Sequence, residues 1–184
     1  PQHWKRRRRL KRKRRASRQS NCRSSKTYGA PWRPVCPLMK LAPAQLAKHL
    51  QGALAPVYVV SGDDPLLCQE AADAIRTAAR QQGFDERQVF AADASFDWGT
   101  LLQAGASMSL FAEKRLLELR LPSGKPGDKG AAALIEYCSR PAEDTLLLIS
   151  LPKLDGSAQK TKWGKALVEG QQTQFVQIWP VDAN

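Results

Sequence analysis

The chain has 184 residues, 42% of them hydrophobic, and a formal net charge of +12. That is enough apolar material for one α/β domain, or one domain with an appendage. No stretch supplies the roughly 20 consecutive apolar residues of a membrane span or the 7–15-residue apolar core of a secretory signal, so no membrane partner is expected. The charge is uneven. Residues 1–38 hold 14 of the 29 Lys and Arg and no acid, leaving residues 39–184 with 15 bases against 17 acids.

The basic run Lys5–Arg15 repels itself and has no apolar periodicity, which predicts disorder in isolation. It could bind any polyanion, and as a nucleic-acid arm it would release counterions and bind with a steep salt dependence. Position 1 is Pro, the first Met is Met39, and an amphipathic pattern begins directly after it. Residues 1–38 are therefore expected to be non-native or upstream sequence joined to a genuine start, with residues 39–184 as the domain.

In chain order, residues 43–53 read as a short helix, with Pro43 in its first turn and Leu46, Leu50 and Leu54 at a four-residue spacing. Val57–Val60 is an apolar run of strand length. It ends at Ser61-Gly62-Asp63-Asp64-Pro65, where Asp64 can cap a helix starting at Pro65. That helix presents Leu67, Ala71, Ala74, Ile75 and Ala78 on one face and stops at Gly83 in a left-handed conformation. The pattern then repeats, with a strand at Gln88–Ala91, a helix at Asp97–Ala106 and a strand at Arg115–Leu121. A loop over Pro122–Gly130 leads to a helix through Leu134, Ile135 and Tyr137. A strand at Thr145–Ser150, one helix over residues 157–169 and a last strand at Gln174–Pro180 complete the chain. Strands that alternate with helices and are apolar on both faces predict a five-stranded parallel sheet in a three-layer α/β domain. A chain that stops soon after a strand is expected to have been cut at a domain boundary.

The first strand-to-helix turn of such a sheet is where a phosphate loop would lie. Here it has one glycine and no lysine, two carboxylates where phosphates would go, and a proline that removes a donor, so it reads as a helix cap. The strands ending near Leu121 and Leu151 lack the acidic pair that would hold magnesium. Lys125–Gly130 has the composition of a phosphate loop but the wrong spacing and reads as solvated loop. His49, the one histidine after residue 38, has no nucleophile or metal ligand at a diagnostic spacing and reads as a surface histidine. Asp85, Glu86 and Asp93 read as a solvated rim. Cys22, Cys36, Cys68 and Cys138 show no C-x-x-C spacing, which predicts reduced thiols and a cytoplasmic protein.

Ser107-Met108-Ser109-Leu110-Phe111 places three large apolar side chains where a surface loop is expected. If exposed, Met108, Leu110 and Phe111 have the character of an anchor for a partner's pocket, each worth about 1.5–3 kcal/mol when buried. The alternative is that they belong to the domain's own core.

Tyr58 to Glu70, Gly83-Phe84, Ala106 to Ala112 and the strand Thr145–Ile149 together resemble the N-terminal domain of the delta subunit family of bacterial DNA polymerase III. The form carrying Lys125–Gly130 is similar to gamma-proteobacterial members. The resemblance covers Met39–Asn184 and implies an AAA+/P-loop-NTPase-like fold lacking the phosphate loop. It implies a clamp-loader protein without catalysis or cofactor of its own, in a complex that is a DNA-directed DNA polymerase, with ATP used by partner subunits. By the same resemblance, Met108, Leu110 and Phe111 are clamp-binding residues that enter a pocket on the sliding clamp and open the ring for loading on primed DNA. Ser107 stands where many clamp-binding motifs carry glutamine. Other clamp-loader subunits, and DNA within the complex, are the further partners implied. The family's lid and collar domains are expected to be absent from a truncated chain. Two other readings compete: a nucleic-acid-binding module using the basic N-terminal arm, and a nucleotide-dependent enzyme binding at the Gly62 turn.

Overall fold

A computed structural model describes residues 41–93, 95–106, 114–142 and 144–179. The basic run Lys5–Arg15, Cys22 and Cys36 lie outside them.

Helix α1 (Pro43–Leu50) starts at a proline and buries Leu46 and Leu50, one helical turn apart. It ends three residues before the predicted stop, because the carbonyl of His49 accepts from the N–H groups of Gln51 and Gly52 instead of continuing the ladder. Strand β1 (Val57–Gly62) is buried throughout. Helix α2 (Pro65–Gln81) begins as expected: the Asp64 carboxylate accepts from the N–H groups of Leu66 at 2.9 Å and Leu67 at 3.1 Å. Gly83, at φ +87°, turns the chain out of it.

Strand β2 (Phe84–Ala91) begins four residues before the predicted strand, and residues 85–89 are exposed. It lies at the edge of the sheet, where polar side chains are tolerated, so the expectation of strands apolar on both faces does not hold for β2. Helix α3 (Trp98–Ala106) is capped by Asp97, whose carboxylate accepts from the Gly99 N–H at 2.9 Å. Strand β3 (Lys114–Arg120) follows, then α4 (Gly127–Ser139). The loop before α4 is shorter than predicted, since Asp128, Lys129 and Gly130 form the helix's first turn. Gly130 sits beneath Trp98, where an added Cβ would meet the indole at 2.4 Å.

After β4 (Thr145–Leu151), the single helix predicted over residues 157–169 is two helices, α5 (Gly156–Lys160) and α6 (Lys162–Glu169). Thr161 is extended and its hydroxyl accepts from the Gly164 N–H, so it ends one helix and caps the next. Strand β5 (Thr173–Ile178) stops before Pro180.

All five strands are parallel, in the order β2-β3-β4-β1-β5. Residues alternating along each strand divide the core in two. Tyr58, Val60, Leu116, Leu146, Leu148 and Val176 pack with α1 and α2 on one face. Val57, Val59, Leu117, Leu119, Leu147, Ile149 and Phe175 pack with α3, α4 and α6 on the other. This is the three-layer α/β architecture the strand pattern predicts.

Candidate partner-binding site

Helix α3 and strand β3 flank the apolar motif. Their facing ends both lie at the amino edge of the sheet, opposite the Gly62 turn, because every helix-to-strand connection of a parallel sheet falls on that edge. Both ends are fixed. The buried Arg115 donates from Nη2 to the carbonyl of Ala104, in the last turn of α3, at 3.0 Å. Its backbone N–H bonds the carbonyl of Asp144 at 2.8 Å. Lys114 donates from Nζ to the carbonyl of Gln82 at 3.1 Å, with its ammonium 5.4 Å from the Phe84 ring centroid.

On the α4 side, Gly105 admits the Tyr137 ring so closely that a Cβ there would stand 2.4 Å from Cε2. The Tyr137 hydroxyl is buried without a hydrogen-bond partner among the described residues. Burial raises its pKa well above the ordinary value, against the pull of Arg115. The candidate anchors themselves, Met108, Leu110 and Phe111, fall within residues 107–113 and lie outside the described residues.

At the carboxyl edge, the Gly62 turn is packed and internally bonded. An added Cβ on Gly62 would sit 2.6 Å from Ile178 Cβ. Ser61 Oγ donates to the Pro152 carbonyl at 3.0 Å and accepts from the Leu154 N–H at 3.2 Å. Asp63 pairs with Lys153 at 3.3 Å, and the Lys153 ammonium lies 5.5 Å from the Trp179 ring centroid. Asp64 engages the two N–H groups at the head of α2 that a phosphate would need, so an anion arriving there would meet a carboxylate already in place.

His49 is not the surface residue its position in the sequence suggested. It is half-buried, and its Nε2 lies 3.1 Å from the Tyr58 hydroxyl, which accepts from the Ala55 N–H. Burial lowers its pKa, so the neutral ring is favoured. Burial pushes the Cys138 thiol up to about 11, partly offset by a hydrogen bond with Thr173. Burial and then Asp64 and Asp63 raise that of Cys68. Among the described residues, no three His, Cys, Asp or Glu side chains converge as a metal site would require. No described helix is long and apolar enough to cross a membrane.

The residue that sequence reasoning passed over is Glu118, fully buried in the middle of β3. Arg76 of α2, Arg87 of β2 and Arg120 of β3 all donate to its carboxylate, at 2.7–3.1 Å. Burial would raise its pKa, but the three guanidinium groups outweigh that and bring it down to about 2. The visible signal was a charged residue inside the apolar run Leu116-Leu117-Glu118-Leu119.

The strand order and the helices on both faces define a three-layer α/β domain on a five-stranded parallel sheet. The sequence matches the family model for DNA polymerase III, delta subunit, over residues 58–175. It is 35% identical over 130 residues to DNA polymerase III subunit delta of Escherichia coli K12, covering 71% of this chain and 38% of that protein. It is 36% identical over 126 residues to the Haemophilus influenzae subunit, covering 67% of this chain and 36% of that protein. The chain belongs to the DNA polymerase III delta subunit family. It spans little more than a third of the length of these curated relatives. The solved structure of the Bacillus subtilis DNA clamp loader delta protein shares its fold, with a TM-score of 0.60 at 23% identity over 76% of this chain and 43% of that one.

Proposed function

We propose that this domain is the clamp-binding part of a clamp-loader delta subunit, and that Met108, Leu110 and Phe111 enter an apolar pocket on the sliding clamp and open one interface of the ring. The observation that carries this reading is the family match spanning the apolar motif. The rigid setting of the motif's flanks supports it, with Arg115 bonded to Ala104 on one side and Gly105 seated against Tyr137 on the other. Opening requires that the trio bind the open ring more tightly than the closed one, since a ligand shifts an equilibrium only by its differential affinity.

In the cell the whole subunit would work in the cytoplasm with the other loader subunits, the clamp and primed DNA, without catalysis of its own. ATP turnover belongs to partner subunits in this reading, which the occupied head of α2 favours. A fluorophore pair placed across one interface of the cognate clamp tests the proposal. The wild-type chain should separate the pair in a saturable way, and Leu110→Ala/Phe111→Ala should not. Equal separation by both proteins would contradict it.

A further inference from the structure

The face of the sheet that carries α1 and α2 also carries a second chemical feature, at its β2-β3 edge. Residues paired in register share a face of the sheet. Arg87 pairs with Leu116, Val89 with Glu118, Ala91 with Arg120, and Arg120 with Ser150. Leu116 and Leu148, the β4 partner of Glu118, belong to the α2 side of the core. Glu118 is wholly buried here, with Arg87 at 37% and Arg120 at 51% side-chain exposure above it.

The carboxylate holds these two arginines in place and leaves much of their donor capacity outward. A guanidinium carries five N–H donors. Arg120 reaches Glu118 through Nε alone, at 2.9 Å, so both of its Nη groups have no partner among the described residues. Arg87 uses Nε and Nη2, leaving Nη1. Arg76 is the structural member of the group: its side chain is 12% exposed, and it reaches Glu118 and Asp73 together. The Ser150 hydroxyl, beside Arg120, also has no hydrogen-bond partner among the described residues. Three arginines thus pair with two carboxylates, Glu118 and Asp73. Arg120 is the last residue of β3 and Ser150 the penultimate residue of β4, whereas Arg87 and Glu118 lie mid-strand, so the group runs along this face toward the carboxyl edge.

We propose that Arg87, Arg120 and Ser150, positioned by Glu118, form a binding site for a phosphate group, whether free phosphate or the phosphodiester of a nucleic-acid strand. Two guanidinium forks and a hydroxyl need an acceptor with oxygens in several directions, which a tetrahedral phosphate supplies and a planar carboxylate does not. Val89, 45% exposed, is the one large apolar side chain these strands expose, which is too little to seat an acidic peptide. The site is separate from the clamp-binding motif and does not depend on that reading.

The test uses the full 184-residue chain and follows the arginine Nε–Hε resonances by NMR during titration with inorganic phosphate, then with a single-stranded oligonucleotide. Saturable shifts are expected at Arg87 and Arg120 but not at the exposed Arg80. Arg87→Gln/Arg120→Gln, which keeps Arg76 on Glu118, should weaken phosphate binding at least tenfold, and Ser150→Ala should weaken it less. If a strand is the source of the phosphate, the double variant also lowers the slope of log affinity against log salt by about 0.7, for the one phosphate it no longer neutralises. An unchanged slope with weakened inorganic phosphate binding would assign the site to free phosphate. The proposal is overturned if phosphate at tens of millimolar leaves both resonances unmoved, or if the folded double variant binds phosphate as the wild type does. It also fails if an acidic peptide binds this site more tightly than the oligonucleotide.

Discussion

Replacing Glu118 by Gln changes little in shape and much in charge. The carboxylate accepts five hydrogen bonds, two on Oε1 and three on Oε2. An amide keeps one of those oxygens and turns an N–H₂ toward donors on the other side. Breaking a buried ion pair by removing one partner costs about 3–5 kcal/mol. The pKa gives an independent figure: a carboxyl brought from 4.5 to about 2 on folding contributes about 3 kcal/mol at neutral pH, at 1.36 kcal/mol per pH unit of difference. The sign follows from the direction. Because the folded pKa is the lower one, the contribution is complete above about pH 5 and is lost as pH falls toward 2. Urea unfolding followed by tryptophan fluorescence should show Glu118→Gln about 3 kcal/mol less stable than wild type at pH 7, with the gap shrinking steadily below pH 4.5. A gap under 1 kcal/mol at pH 7, or one that stays constant down to pH 3, would refute the reasoning.

Tyr137→Phe removes a buried hydroxyl that has no hydrogen-bond partner among the described residues and should raise unfolding stability by about 1 kcal/mol, since an unsatisfied buried group costs about 1–3 kcal/mol; a loss of stability in the same urea assay would show that the hydroxyl is bonded. Gly105→Ala would gain about 1 kcal/mol of helix propensity, yet it drives a Cβ to 2.4 Å from the buried Tyr137 ring. Overpacking costs of about 1–3 kcal/mol predict a net loss, and thermal melting above wild type would contradict that. Asp64→Ala removes the acceptor for Leu66 and Leu67 at the head of α2 and should cost about 1 kcal/mol, read as a lower urea midpoint with an unchanged m-value.

The elements legible in the sequence were those whose signal is local. Val57–Val60 and Thr145–Ser150 are unbroken apolar runs, and Asp64-Pro65 is a cap followed by a first-turn proline, so β1, β4 and the start of α2 stand where their residues place them. The first half of β2 was missed because Asp85-Glu86-Arg87 has neither apolar character nor alternation. Those residues are extended because β3 pairs with them at the sheet edge, a long-range cause with a register shift between Phe84 and Glu86. Thr161 was absorbed into one helix because the spacing on either side is helical, whereas its hydroxyl caps a second. His49 looked free because its partner Tyr58 lies across the gap between α1 and β1. Glu118 was passed over as one more residue of a strand, and nothing local could reveal three arginines, two of them 31 and 42 residues away. The anchors Met108, Leu110 and Phe111 were legible only as a motif, through apolar character and family likeness.

The most direct test of the account is calorimetric titration of the cognate sliding clamp with the 184-residue chain, beside Leu110→Ala/Phe111→Ala. The account predicts saturable binding by the wild type and its loss in a double variant that keeps the wild-type unfolding transition. A folded wild-type chain that does not bind the clamp, or a double variant that binds as tightly, would contradict it.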